Sequence, residues 1–282
     1  MDQAESRVTF SILASDFHLT PADPAGLETF HAFLRDVVSG AQALYLLGDV
    51  FETWVGAKHV RWPEYRAVFD ALRELARRGT AITLLHGNRD FLLGSREAAA
   101  CGGRVVGEEV EVDLHGRRTL LLHGDSLCTA DVGYQRSKPL LRGRLIRVLS
   151  ATLPFAVQLR IAGGLRGKSK RSVAMKATDT MEIVPAEVRR RFASGYDAMV
   201  CGHVHRPGLR VYDRGDRGDG SDGGPRPVEL HVLGAWDDGG VFARADRDGI
   251  GLHRYRAGRI EPFPLVTRFP APVPGADAAT AW

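Results

Sequence analysis

A chain of 282 residues, 44% hydrophobic and 26% charged, has the make-up of a globular protein with one substantial core, which excludes a disordered or fibrous chain. No apolar run reaches the ~18 residues that cross a bilayer. The first five residues (Met1-Asp2-Gln3-Ala4-Glu5) have no secretory character and the three cysteines (Cys101, Cys128, Cys201) are scattered, so a reducing, cytoplasmic setting is expected. Net charge is only +4, yet eleven Lys and Arg, with no Asp or Glu, fall between Asp131 and Asp179; taking those eleven away leaves the rest of the chain at −7. A positive field so concentrated suggests an anionic partner: a phosphate ligand, a membrane surface or a nucleic acid.

In chain order, Val8 to Ala14 predicts a first strand, with Ser15-Asp16-Phe17-His18 as the loop after it. Leu27, Phe30, Phe33, Leu34 and Val37 recur at helical spacing from about Pro24 to Val38, and Ser39-Gly40 is the stop. Leu44-Tyr45-Leu46-Leu47 is an apolar run of strand length cut off by Gly48-Asp49. It predicts a buried strand delivering Asp49 to its C-terminal end, where open α/β sheets keep their sites. A second helix runs from about Pro63 to Arg78, and the strand Ala81 to Leu85 ends in His86-Gly87-Asn88-Arg89-Asp90; strand and helix in alternation imply parallel α/β layering.

Phe91-Leu92-Leu93 leads into a short helix through Ala100, and Val105 to Leu114 with Arg117 to Leu122 predicts a hairpin, so part of the sheet system is antiparallel. The basic stretch follows. Its apolar positions (Leu140, Leu141, Leu145, Ile146, Leu149) hold helical spacing and are interrupted at Pro154 and Gly163-Gly164. That pattern predicts two or three amphipathic helices, a cap over residues 132–182 inserted in one domain of residues 1–269. A helix from Pro185 to Phe192 leads to a strand, Ala198 to Cys201, that ends in Gly202-His203-Val204-His205. Strands Leu209 to Tyr212 and Val228 to Leu233 flank an Asp213 to Pro227 loop expected to be mobile, and residues 270–282 are expected to fray.

Five predicted strand ends therefore stop on ligand-type residues: Asp16-x-His18, Gly48-Asp49, Gly87-Asn88, His123 and Gly202-His203-x-His205. They supply two carboxylates, one amide oxygen and four imidazoles. A spacer between two ligands at a strand exit lets both side chains turn toward one point. Seven groups are too many for one ion; shared between two ions with Asp49 as the bridge, they give each four ligands and leave room for a bridging water. Mixed oxygen and nitrogen donors without thiolate favour Mn, Fe or Zn over Ca or a structural zinc site. Each piece alone is weak, since Gly-Asp is often only a turn, and the argument is the coincidence of five.

The order Asp-x-His, Gly-Asp, Gly-Asn-x-Asp, His, Gly-His-x-His resembles the calcineurin-like metallophosphoesterase superfamily, which implies an α/β fold, a four-layer αββα sandwich of two mixed sheets, here with an inserted helical cap. Most of that superfamily places a catalytic acid, histidine, where Arg89 stands. The blocks Gly48-Asp49-Val50-Phe51-Glu52, His86 to Leu92, His123 to Asp131 with Tyr134-Gln135, and Gly202 to Pro207 resemble the UDP-2,3-diacylglucosamine hydrolase family of lipid A biosynthesis, over residues 8 to 265.

That resemblance implies hydrolysis of the diphosphate of an acylated UDP-sugar at the α-phosphorus with two Mn(2+) per chain. The amphipathic basic stretch would suit peripheral association with an anionic inner-membrane surface from the cytoplasmic side, and no nucleic acid and no obligate protein partner are expected. By position, Asp16, His18, Asp49 and His205 would hold one metal, and Asp49, Asn88, His123 and His203 the other. Asp49, Asn88 and Arg89 would be catalytic, and Asn88, Arg89, Asp131, Arg166, Ser169, Lys176 and His203 would contact substrate. Val173 departs from the expected Asn, and the 213–227 loop is longer than typical.

Plainer readings stand beside these. Arg89 could pair with Asp90 or Glu52, Asp131 could cap a helix, and Ser169 and Lys176 could be exposed members of a basic face. Glu52 and Asp125 are expected to orient ligands. A nucleotide pyrophosphatase, indifferent to acyl chains, is the rival activity; a non-catalytic scaffold or RNA-binding protein on the same fold is the rival of another class.

Overall fold

Residues 9–143, 146, 148, 150, 152–164, 182–214, 226–237, 239–263 and 266–268 are described by the structure, a computed structural model. Strands β1 (Ser11–Ala14), β2 (Ala43–Leu46) and β3 (Ala81–Leu84) are short, apolar and largely buried. Helix α1 (Pro24–Phe33) starts where Asp23 accepts the Gly26 N–H and Pro24 presets the first turn, and a wider π-turn carries it through Leu34–Val38. Helix α2 (Pro63–Arg77) buries Tyr65, Val68, Phe69, Leu72 and Leu75, one stripe of a 3.6-residue repeat. After α3 (Ser95–Cys101) and β4 (Arg104–Val105), the hairpin β5 (Glu109–Leu114) and β6 (Arg117–Leu122) forms in antiparallel register.

Helix α4 (Val132–Leu141) opens the basic stretch, residues 155–164 are also helical, and the helix Pro185–Phe192 precedes β7 (Ala198–Cys201). β8 (Gly208–Arg214) and β9 (Arg226–Val232) pair antiparallel, so both run further into the expected loop than the sequence suggested. Residues 215–225, the heart of that loop, lie outside the described residues, as do Arg166, Ser169, Val173, Lys176 and the 270–282 tail.

Beyond Leu233 sequence reading assigned no element, yet four strands follow: β10 (Gly240–Asp246), β11 (Gly249–Arg256), β12 (Arg259–Pro262) and β13 (Val266–Arg268). β10 escaped because its first four residues are buried on both faces, which erases the alternation that marks a half-buried strand. The β11 to β12 turn is carried by Ala257 and Gly258, both at positive φ, where Asn-Gly would have been the usual signal.

One sheet has the order β12-β11-β10-β1-β2-β3-β4 and the other β13-β8-β9-β7-β6-β5; both mix parallel and antiparallel pairs. Side-chain alternation sorts the core into three clusters. Ile12 and Ala14 face α1 and α2, with Phe30, Phe33 and Phe69; Leu13, Leu47 and Leu85 face Leu121, Val200 and Leu233 across the sheets; Leu120, Met199 and Leu230 face Val188 and Phe192. Helices, sheet, sheet, helix is the four-layer sandwich.

Candidate metal centre

Parallel pairing of β1, β2 and β3 in one sheet, and of β6 and β7 in the other, puts the C-terminal ends of five strands at one rim. The loops there are stitched together: Asp16 N–H donates to Gly48 O (3.2 Å), His18 N–H to Asp49 O (3.0 Å) and Gly202 N–H to His123 O (2.8 Å). Two bonds cross between the sheets, His203 N–H to Asp16 Oδ2 (2.9 Å) and His123 Nδ1–H to Leu47 O (3.0 Å).

Asp16, His18, Asp49, His203 and His205 all sit on left-handed backbone, at φ 58°, 51°, 51°, 72° and 52°. Such conformations are uncommon for residues with a Cβ and concentrate where a site needs them. The glycines beside them are required by close approach. A Cβ on Gly48 would stand 2.5 Å from Gly87 N, one on Gly87 2.1 Å from Asp49 Oδ1, and one on Gly202 2.1 Å from Asp16 Oδ2. Gly-Asp, Gly-Asn and Gly-His are thus packing statements about this rim as much as turn signals.

The ligand atoms of Asp16, His18 and His205 lie within 4.8 Å of one another, as do those of Asp16, Asp49 and His123, so Asp16 is common to both groups. Asn88 joins the second, with Oδ1 3.0 Å from His123 Nε2. His203 packs its ring edgewise on His123, centroids 5.0 Å apart. Asp16, Asp49 and His123 are buried.

This donor set fits cations. His123 gives its Nδ1 proton to a carbonyl, so its Nε2 carries a lone pair when the ring is neutral, and that lone pair faces Asn88 Oδ1 and Asp49 Oδ2 (3.7 Å). Acceptors facing acceptors repel unless a positive charge sits between them. On the other side Asp16 Oδ1 is buried without a hydrogen-bond partner, with His205 Nε2 at 3.5 Å, and His18 Nε2 faces His205 Nε2 at 3.4 Å. Burial lowers the His123 imidazole, but Asp49 and Asp16 outweigh it and raise it; protonated, His205 and His123 in turn outweigh burial and hold the Asp16 acid well below its usual range, and a bound cation would take the place of those protons. Burial pushes the His203 imidazole down to about 4, which keeps it neutral and able to donate a lone pair. The three thiols are buried elsewhere, and burial raises each of them, so oxygen and nitrogen are the donors.

Arg89 takes the plainer pairing. Its Nη1 binds Glu52 Oε2 (2.9 Å), its Nε lies 3.5 Å from Asp49 Oδ2, and Glu52 also approaches His18 Nδ1 (3.3 Å). Asp131 is the N-cap of α4, its Oδ1 accepting the Tyr134 N–H (3.1 Å). Asp125 contacts no ligand imidazole by hydrogen bond; it accepts from Tyr134 (2.6 Å) and pairs with Lys138 and Arg142 (3.0 Å each). Two of the eleven basic residues are therefore neutralised, which thins the positive field the sequence suggested.

Asp90, read from the sequence only as a possible partner of Arg89, is an organiser of the rim. Its buried carboxylate accepts the N–H groups of Asp49 (3.2 Å), Val50 (2.8 Å), Phe51 (3.4 Å) and Gly87 (2.8 Å), tying two ligand loops to one anion. The spacing Asn88-x-Asp90 was the available signal. Trp236 was also missed: its indole N–H donates to Ser15 O (3.0 Å) and its ring stacks on Phe17 (4.1 Å).

No protein-family model matches the chain. Curated relatives do. A protein of Pseudomonas fluorescens (strain SBW25) named UDP-2,3-diacylglucosamine hydrolase is 38% identical over 242 residues, 86% of this chain and 93% of that one. One of the same name from Pseudomonas syringae pv. tomato is 38% identical over 86% of this chain and 94% of its own, and one from Edwardsiella ictaluri 37% identical over 92% and 96%. Identity of that size along nearly the whole of both partners is more than a shared fold requires, and this chain belongs to the UDP-2,3-diacylglucosamine hydrolase family.

Proposed function

We propose that this chain hydrolyses the diphosphate of UDP-2,3-diacylglucosamine at the α-phosphorus, releasing UMP and 2,3-diacylglucosamine 1-phosphate. The observation that carries the reading is the buried convergence of Asp16, Asp49 and His123 in a chain whose relatives bear that substrate in their name. Two divalent ions, manganese first with iron or zinc as alternatives, would be held by Asp16, His18, Asp49 and His205 and by Asp49, Asn88, His123 and His203. Bound there, such ions supply Lewis-acid polarisation of phosphoryl oxygens and an acidified water.

The chain's own residues supply the rest. Arg89 stands at the rim with its side chain 31% exposed, so its guanidinium can exchange Glu52 for two phosphate oxygens at once. Attack of water at the α-phosphorus breaks the bond to the bridging oxygen, and the leaving group is a sugar 1-phosphate. A phosphate departs as an anion without being protonated, so an arginine in place of an acid suits a diphosphate better than an alkyl ester. Asp131, Arg166, Ser169, Lys176 and His203 would contact the substrate beneath the 132–182 cap.

Among the described residues no helix is long and apolar enough to cross a membrane. Val132, Leu140, Val148, Val157 and Ile161 nevertheless stand exposed in the capping stretch, among basic residues. That combination fits peripheral contact with an anionic membrane surface.

Turnover of the acylated UDP-sugar is expected with manganese and absent after chelation, and plain UDP-sugars should turn over far more slowly. Equal rates with and without metal would end the metal-assisted reading, and equal rates on both substrates would favour a general pyrophosphatase. Asp49→Ala should abolish turnover, whereas Lys176→Ala should chiefly raise KM.

A further inference from the structure

The basic stretch contains a cluster that the hydrolase reading leaves unused. Lys138 and Arg142, one turn apart at the end of α4, each keep only 9% of the side chain exposed. Lys138 Nζ lies 3.0 Å from Asp125 Oδ2 and 2.5 Å from Glu108 Oε2; Arg142 lies 3.0 Å from the same Asp125 oxygen and, as an unaligned ion pair, 2.6 Å from Glu108 Oε1. Two cations and two anions close a neutral quartet. Such a quartet adds little net stability over apolar packing, because desolvation offsets attraction; what it supplies is a fixed register between α4 and the sheet edge beneath it.

Arg142 also reaches further. Its Nη2 donates to the carbonyl of Gly87 (3.0 Å), and its guanidinium lies over the Phe91 ring at 5.9 Å. Gly87 precedes Asn88 and admits no side chain, since a Cβ would meet Asp49, so its carbonyl is the handle by which the capping stretch can grip this loop. From the other side the loop is held by Asp90, and it in turn holds Asn88 against His123 and donates Arg89 N–H to Asp49 Oδ1 (2.9 Å). A second foot of the capping stretch touches neither Gly87 nor Asn88: Ser150 Oγ donates to Val55 O (2.7 Å), one residue past Trp54, whose N–H donates to Arg89 O (3.2 Å), and Phe155 packs on His59 and Trp62 at 4.9 and 5.8 Å.

We propose that Arg142 is a positioning residue for the Asn88–Arg89 loop, so that the geometry presented to phosphorus depends on how the cap is seated. The inference rests on the hydrolase reading for its biological substrate, but its readouts do not. Arg142→Lys keeps the quartet neutral while a single ammonium cannot span Gly87 O, Asp125 and Glu108 together. Together with Arg142→Met, it is compared with Ser150→Ala, which loosens only the second foot.

Two measurements decide: kcat on bis-p-nitrophenyl phosphate, a diester without the acyl chains of the proposed substrate, and manganese affinity by titration calorimetry of the metal-free protein. Arg142→Lys is expected to lower both about tenfold, as loss of a group that orients a ligand does, with Arg142→Met at least as low and Ser150→Ala unchanged in both. A folded Arg142→Lys protein with wild-type kcat and manganese affinity would overturn the proposal, leaving Arg142 a mere anchor for the cap. Equal losses in Ser150→Ala would overturn it too. Failure of wild-type protein on the acylated UDP-sugar would sink the hydrolase reading without touching either measurement.

Discussion

A Cβ and a left-handed backbone conflict, and at the rim the chain accepts the conflict at five ligand-type residues, while Gly48, Gly87 and Gly202 allow a close approach that no Cβ would permit. Each such residue costs on the order of 1 kcal/mol and is held by its surroundings. Two substitutions separate these roles. His205→Asn keeps a residue that tolerates left-handed backbone, so the metal-free melting temperature should hold while manganese affinity falls about 10- to 100-fold under the proposed ligation. Gly202→Ala instead drives a methyl into Asp16 and Ser15, and should both cost about 1–3 kcal/mol in urea unfolding and abolish turnover. The meeting of Asp16, His18 and His205 at one place was legible from residue type and spacing alone. Arg89's salt bridge to Glu52 was legible only as one of two alternatives, because Asp90 adjoins it in the chain while Glu52, 37 positions away, reaches it only through the fold.

Short elements carry the site, and a short turn outside it predicts acid sensitivity. His59, in the 3-10 turn Ala57–Arg61, is buried among Trp54, Trp62, Tyr65 and Phe155, and its Nδ1 accepts the Val55 N–H (3.3 Å). Burial pushes its imidazole down to about 4. The folded pKa lies below the unfolded one, so under acid the unfolded chain takes up a proton that the folded chain refuses. Stability is therefore present above about pH 6.5 and is lost as pH falls toward 4. The loss should be on the order of 1–2 kcal/mol once solvent screening is allowed for. Urea midpoints at pH 6.5 and 4.5 should differ less in His59→Phe than in wild type; an unchanged difference would show that His59 does not titrate this way. At the same scale, β1, β2 and β3 announce themselves by apolar runs ending in Gly or Asp, whereas β10 lies buried between β1 and β11 and carries no period to read.

For the molecule as a whole, the proposed ions would act as ligands of the folded state. Buried Asp16 and Asp49 oppose each other until compensated, and nothing in an unfolded chain would hold seven donors together. Manganese at 100 times its dissociation constant should therefore stabilise by about 2.7 kcal/mol for each independent site, and chelation should lower the melting temperature correspondingly. A melting temperature indifferent to metal would count against the ligand set. Charge behaves differently at this scale than along the chain. Eleven like charges in sequence suggest a uniform field, but Lys138 and Arg142 are neutralised by Asp125 and Glu108, which belong to the stretch with the opposite sign.

By itself the sequence determined the layered α/β class, the five strand ends and the chemistry offered at each, because strand length, glycine breaks and donor type are local properties. Only the tertiary structure decided that β10 slots antiparallel beside β1, that Asp90 ties two ligand loops to one carboxylate, and that Arg142 grips Gly87 from the far side of the rim. Those contacts join residues 39 or more positions apart in every case but the Gly87–Asp90 bond. The partner of a backbone edge, a carboxylate or a guanidinium is set by packing, and no local pattern encodes it.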